Sequence, residues 1–245
     1  MSVTKLESKK EQQGAENSVI MDDNGYYKVI LGVLNSYNRS GAFYRIKDPS
    51  SLLTNKTILN RRVTEGTLRS EEEHPDYKGM SNKEIVTRTI FLDSTNICAH
   101  IKSIEMVDTG KCEPGWDGYN ITIVHGWVKP TGPHGTHLKE SFDNPDENVY
   151  FSVRSLVKQK YIGRTLVRDV LDIPTWDHVY EGGVEKASQW NAAGIESIGA
   201  CIDGLCKTDL ENMTIGNEKL DCEDGRCLLN VIDKLDGKSS SILNW

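Results

Sequence analysis

Ser152 lies in "NVYFSVRSLV", a hydroxyl between Phe151 and Val153 in a run that is otherwise largely apolar. A hydroxyl in such a setting must satisfy its hydrogen bond. One reading is a core serine bonded back to the main chain. The other is a nucleophile on a rigid strand, which needs an imidazole as base and a third group to orient it. His74, in "LRSEEEHPDYKGM", follows Glu71, Glu72 and Glu73 and precedes Pro75. Taken alone it is one polar residue in a charged loop. Neighbouring carboxylates raise an imidazole's basicity, but solvent screens that effect at an exposed site. Asp169, in "LVRDVLD", puts a carboxylate inside a second apolar strand, where an unpaired charge is costly. Its partner is an imidazole on one reading and Arg168 or Arg164 on the other, with Asp172 as the competing acid. Arg154, two residues after Ser152, offers a donor near a developing oxyanion.

These groups need elements to hold them. Tyr27, Val29, Leu31 and Val33 alternate as in a strand with one face buried. Asn38-Arg39-Ser40-Gly41 supplies turn chemistry. Leu52, Leu53, Ile58, Leu59 and Val63 fall near helical spacing, with Ser50 or Ser51 as a cap. The segments "IVTRTIFL", "ICAHIKSIEMV" and "YNITIVHGWVKP" read as strands, with Asp93 to Asn96 as a hairpin turn. "TGPHGTHLKESFDNPDEN" reads as loop with one helical turn from Leu138 to Phe142. The Asp169 strand is expected to end at Pro174. The pattern predicts a mainly antiparallel β core carrying a few helices.

Bulk properties set limits. The 37% hydrophobic and 27% charged fractions describe an ordinary folded chain with a core to bury. No run of about 18 apolar residues exists to cross a membrane as a helix. The net charge of −7 argues against nucleic acid as the main partner, since phosphate binding needs a Lys/Arg surplus. The first residues have no apolar h-region of a secretory signal, so the six cysteines are expected to be reduced in a cytoplasm, and Asn38, Asn55, Asn120 and Asn212 are weak glycosylation candidates. Residues 1–24 read as a disordered tail or propeptide, 25–185 as a core domain, and 186–245 as an appendage.

The order of the motifs resembles the prohead maturation proteases of tailed bacteriophages. An early strand leads to "NRSGAFY", with Asn38, Arg39 and Tyr44; "RSEEEHP" partly matches a Gly-Glu-x-x-His-Pro motif. After two β segments and the Gly/Pro-rich "GWVKPTGPHGTHLKE", "FSVRSL" corresponds to a Ser-Ser-Arg-Gly nucleophile strand. "VRDVLDIPTWD" then corresponds to a strand with an acid ahead of Pro-Ser. Ser155 and Ser70 stand where the family has glycine. The likeness spans about residues 26 to 182. It implies an α+β fold, a mainly antiparallel β barrel flanked by helices as in herpesvirus assemblins; the sequence after it reads as a small helical, cysteine-containing C-terminal appendage. It also implies a serine endopeptidase with Ser152 as nucleophile, His74 as base and Asp169 as orienting acid, and with oxyanion support near Arg154. Scaffold or core and major capsid proteins are the implied substrates, inside the immature head in the host cytoplasm. Cleavage after glutamate is implied too, which makes Glu16–Asn17 in "GAEN" and Glu196–Ser197 in "GIES" candidate self-processing bonds. The alternative is a non-catalytic head component that keeps the fold for assembly. A homo-oligomer is compatible with either.

Cys-x-Asp-Gly-x-Cys occurs twice, at 201–206 and 222–227. Cys201, Cys206, Cys222 and Cys227 could hold zinc, but their spacing is wider than the usual Cys-x2-Cys knuckle, which favours reduced thiols. No other cofactor is called for. His134 and His137 lack an evident carboxylate or cysteine partner in the sequence and read as loop histidines. The acidic "DNPDEN" lacks EF-hand character.

Overall fold

Alternation over residues 27–33 produces strand β1 (Tyr27–Leu34), which opens the structure. The computed structural model describes residues 20–38, 40–144 and 147–180, and the backbone of 198–201. Glu16, Glu196, Cys206, Cys222 and Cys227 therefore lie outside the described residues, as do most of the tail and appendage. The last tail residues pair with the core: Met21 bridges Tyr27, and the Lys28 amide donates to the Ile20 carbonyl.

The fold is α+β. After β1 come β2 (Ser36–Tyr37) and β3 (Phe43–Arg45), then a short 3-10 helix at Pro49–Leu53 and helix α1 (Ile58–Thr64). Strand β4 (Arg69–Glu71) and helix α2 (Asn82–Ile90) follow. Next are β5 (Ile97–Cys112), β6 (Asn120–Pro130), α3 (Gly135–Asp143), β7 (Tyr150–Ile162), β8 (Thr165–Val179) and β9 (Ile198–Cys201). One sheet has the order β1-β6-β5-β4 and the other β2-β3-β8-β7-β9. Pairing is antiparallel except for β3 with β8 and β7 with β9. Among the described residues no ladder closes the sheets into the barrel that the resemblance implies. They are joined by the chain at Asn35, held at φ 59°, and by a parallel bridge from Glu72 to His178. Val29, Leu31, Val33, Val124, Val128, Phe151, Val153 and Trp176 fill the core between them. Gly126 makes room for Leu31: a Cβ there would stand 2.4 Å from a Leu31 methyl carbon.

Several sequence expectations change, among them the single turn at Leu138 to Phe142, which is the longer helix α3. Residues 82–90 are helical although Ile, Val and Thr are frequent there. Ser81 and Glu84 form a reciprocal capping box that satisfies the first amides, and Val86 and Ile90 bury one face. Asp93 to Asn96 is consequently a 3-10 connection from that helix into β5. Residues 52–63 do not form one helix: Asp48 caps the 3-10 turn and Thr57 caps α1.

A further change governs the site. β8 does not end at Pro174. The β7–β8 register shifts between Arg154/Thr175 and Leu156/Asp172, so Pro174 falls in a bulge, where a missing N–H is tolerated. The strand continues through Thr175, Trp176, Asp177 and His178.

Candidate active site

Ser152 and Arg154 share one face of β7, as the two-residue period of a strand requires. Across the ladder Ser152 is opposite Asp177 and Arg154 is opposite Thr175. Directly opposed side chains on one face have Cβ atoms about 5 Å apart, a gap that one imidazole can bridge. His74 does so. Its Nδ1 lies 2.8 Å from Asp177 Oδ2, and its Nε2 lies 2.7 Å from Ser152 Oγ. The carboxylate fixes the tautomer: Nδ1–H donates to Asp177, leaving Nε2 as acceptor for the serine hydroxyl.

Ser152 and Asp177 are fully buried, whereas the His74 side chain retains 12% exposure. Burial pushes the Asp177 carboxyl up, but Arg154 and His74 more than compensate and hold it below the ordinary aspartate value. Arg154 Nε and Nη2 grip both oxygens of Asp177, at 2.9 and 2.7 Å. The other side of that buried guanidinium meets Glu71, with Nη2 3.2 Å from Oε2. Arg88 forks onto the same Glu71 carboxylate at 2.8 and 2.5 Å. Alternating charges thus run Arg88, Glu71, Arg154, Asp177, and end on His74 and Ser152. Burial would lower the pKa of Arg154, but Asp177 and Glu71 raise it, so its charge is retained.

Asp169 is not the carboxylate on His74. It binds Arg45 through two bonds of 2.6 and 3.0 Å and Lys160 at 3.1 Å. Eight residues of strand separate it from Asp177, about 26 Å of rise. Asp172, the competing acid, is buried at the start of α1, accepting from the Ile58 amide at 2.8 Å. Burial raises its pKa above the ordinary aspartate value. The Arg154 guanidinium is committed to Asp177, Glu71 and the Arg88 carbonyl, so it supports the acid rather than facing an oxyanion. Asp177 is the residue that the sequence expectation missed. "PTWDHV" did carry the signal, a polar residue at every second position, Thr175 then Asp177, but only if the strand passes Pro174.

The three consecutive glutamates do different work. Glu71, fully buried, links the two arginines and also accepts from the Asp93 amide at 2.6 Å. Glu73 has φ 60°, a left-handed conformation that turns the chain so that His74 returns toward β7. Two bonds pin the turn: the Glu73 amide donates to the His178 carbonyl at 2.7 Å, and the Tyr180 amide donates to Glu73 Oε1 at 2.8 Å. Glu72 faces the other way, onto His134, His137 and Tyr180. Neither Ser70 nor Ser155 has positive φ, so the departures from glycine impose no left-handed strain.

β9 lies alongside β7, parallel, with Ile198 opposite Arg154 and Cys201 opposite Val157. The chain therefore returns beside the strand that carries Ser152.

Comparison with known proteins identifies the family. The family model described as the Peptidase S80 family matches residues 4–225. A relative named capsid maturation protease, from Pseudomonas phage phiKZ, is 34% identical over 184 residues, 73% of this chain. The match covers 66% of that relative's length, slightly under two thirds. No solved structure matches the chain.

Proposed function

Because the chain belongs to the Peptidase S80 family, we propose that it is a serine endopeptidase of phage head maturation, with Ser152 as nucleophile, His74 as general base and Asp177 as orienting acid. The observation that carries this reading is the His74 imidazole bonded to Ser152 on one nitrogen and to Asp177 on the other. A fold kept only for assembly does not require that arrangement.

The reaction follows from the bonds. As Ser152 Oγ attacks the scissile carbonyl carbon, its proton passes to His74 Nε2. Asp177 keeps Nδ1–H directed and stabilises the imidazolium, while Arg154 holds Asp177 ionised and in place. The tetrahedral adduct collapses, the amine leaves with the proton from Nε2, and an ester remains on Ser152. Water, deprotonated by the same nitrogen, releases the acid and restores the serine.

Capsid and scaffold or core proteins inside the immature head are the proposed substrates, consistent with the name of the phiKZ relative. Cleavage after glutamate, including at Glu16 and Glu196, extends the proposal to the chain itself. Glu196 lies two residues before β9, and β9 runs beside the nucleophile strand, which supports self-processing at that bond. Ser152→Ala tests the whole reading. Co-expressed capsid and scaffold proteins should remain uncut, and intact mass should show no loss at Glu16 or Glu196. Unchanged processing by the folded variant overturns it.

A further inference from the structure

Outside the triad, the described residues contain one group whose donor set suits a metal ion. Glu72, His134 and His137 present oxygen and nitrogen atoms that all lie within 4.8 Å of one another. Sequence gave the two histidines no acidic partner, because the carboxylate comes from 62 residues upstream. The fold supplies it. His134 is the N-cap of α3 and His137 lies three residues on, so both rings stand over the first turn. The turn into that helix depends on Gly132, at φ +83°, where a Cβ would stand 2.6 Å from the Ile97 carbonyl oxygen. Glu72 arrives from the far side, after β4.

Both imidazoles use Nδ1 toward the same carboxylate: His134 contacts Oε2, and His137 lies 3.0 Å from Oε1 and 3.3 Å from Oε2. Tetrahedral ligands at zinc distances of 2.0–2.2 Å stand about 3.4 Å apart. The His137–Glu72 separations already match, and the short His134–Glu72 contact needs only a small opening to admit an ion. The Tyr180 hydroxyl donates to Glu72 Oε1 at 2.5 Å, an outer-shell bond of the kind that orients a metal-bound carboxylate. Glu72 is mostly buried while His137 is 55% exposed, giving an ion a route in from solvent. Two imidazoles and one carboxylate with an open coordination position form a borderline-soft set suited to Zn²⁺.

We infer that Glu72, His134 and His137 form a divalent transition-metal site of the zinc class beside the triad, tying α3 to the segment that ends in His74. Glu72 is two residues from His74, and Glu73 between them is pinned to the end of β8. An ion bound there adds a bridge to the bonds that His134 and His137 already make to Glu72. This inference goes beyond the proposed protease activity and stands independently of it.

The test uses calorimetric titration of Zn²⁺ into the full chain carrying Cys201→Ser, Cys206→Ser, Cys222→Ser and Cys227→Ser, which removes thiolate binding by the appendage. One ion per chain is expected. His137→Ala and Glu72→Gln in that background should each weaken binding by at least about tenfold. Co²⁺ should give visible d–d bands without near-ultraviolet thiolate charge transfer, and Zn²⁺ should raise the Tm of the parent but not of either variant. Circular dichroism confirms that the variants fold, as the exposure of His137 predicts. Absence of binding in the parent, or equal affinity in parent and folded variants, overturns the site. Because none of these readouts depends on peptide cleavage, failure here leaves the protease reading untouched, and the converse also holds.

Discussion

Ser152 and Asp177 are direct cross-strand partners on β7 and β8, and His74 bridges them from a third segment. The sheet register, not a flexible loop, sets the spacing between Ser152 and Asp177. Asp177→Asn should therefore keep the fold framework but misorient the imidazole, lowering kcat/KM by about 10³ to 10⁴. Asp169→Asn removes only a partly exposed pair with Arg45 and Lys160, so activity should stay within about threefold and stability within about 1 kcal/mol. Rates on a capsid-derived peptide, or of Ser152 labelling by a fluorophosphonate, distinguish the two. Equal effects would remove Asp177 from the triad.

Arg154 sits between two buried carboxylates; its removal strips Asp177 of its guanidinium and leaves Glu71 to Arg88 and the Asp93 amide. Arg154→Met should cost about 3–5 kcal/mol in denaturant unfolding. Arg154→Lys keeps the charge but cannot reproduce the bidentate fork onto Asp177, so a smaller stability loss with a clear fall in rate is expected. An Arg154→Met protein as stable as the parent would mean that the charge chain contributes little.

Asp177 and Asp172 are both buried, yet their acidity constants shift in opposite directions. Asp177 is held below the unfolded value of about 3.9, so its contribution to stability is complete above that pH and lost as pH falls through the folded value. Asp172 is raised by burial. Its ionised form is a cost that grows as pH rises from about 3.9 through the raised value and is fully present beyond it. Unfolding measured from pH 4 to 8 should show Asp172→Asn gaining on the parent as pH rises. Asp177→Asn should lie behind the parent by a near-constant margin across that range, because the Asp177 contribution is already complete above about pH 3.9. A parallel pH profile for parent and Asp172→Asn would contradict the raised value.

The strands around the site were legible because their alternation is local: Tyr27 to Val33 and the apolar run at Ser152 both predict the observed strands. Ser152 and His74 were also legible, and the structure brings them together. The sequence points to Asp169, with Asp172 as its competitor; Asp177 lies beyond Pro174, which reads as a strand end, and only the pairing with β7 reveals that Pro174 occupies a bulge. The helix at 82–90 was hidden for a related reason. Its β-branched residues favour a strand by propensity, while the capping box and the burial of Val86 and Ile90 override that preference. The charge chain through Glu71 joins residues as far apart as 71 and 177, a relationship that no sequence spacing encodes.

Glu73 stands immediately before His74 in a left-handed conformation that L-residues adopt at a cost of about 1–2 kcal/mol. The acceptor it offers to the Tyr180 amide offsets part of that cost. Glu73→Gly removes the steric cost together with the acceptor, and should leave Tm within a few degrees and the rate within about threefold. Glu73→Val adds β-branching at φ 60° and keeps no acceptor, so the turn should reopen toward extended backbone and draw His74 away from Ser152. A loss of about 2 kcal/mol or more is expected, with a fall in fluorophosphonate labelling of at least about tenfold. Glu73→Gln, which retains an oxygen acceptor, should match the parent in both measurements. If Glu73→Val labels Ser152 as fast as the parent does, the left-handed turn does not position the base.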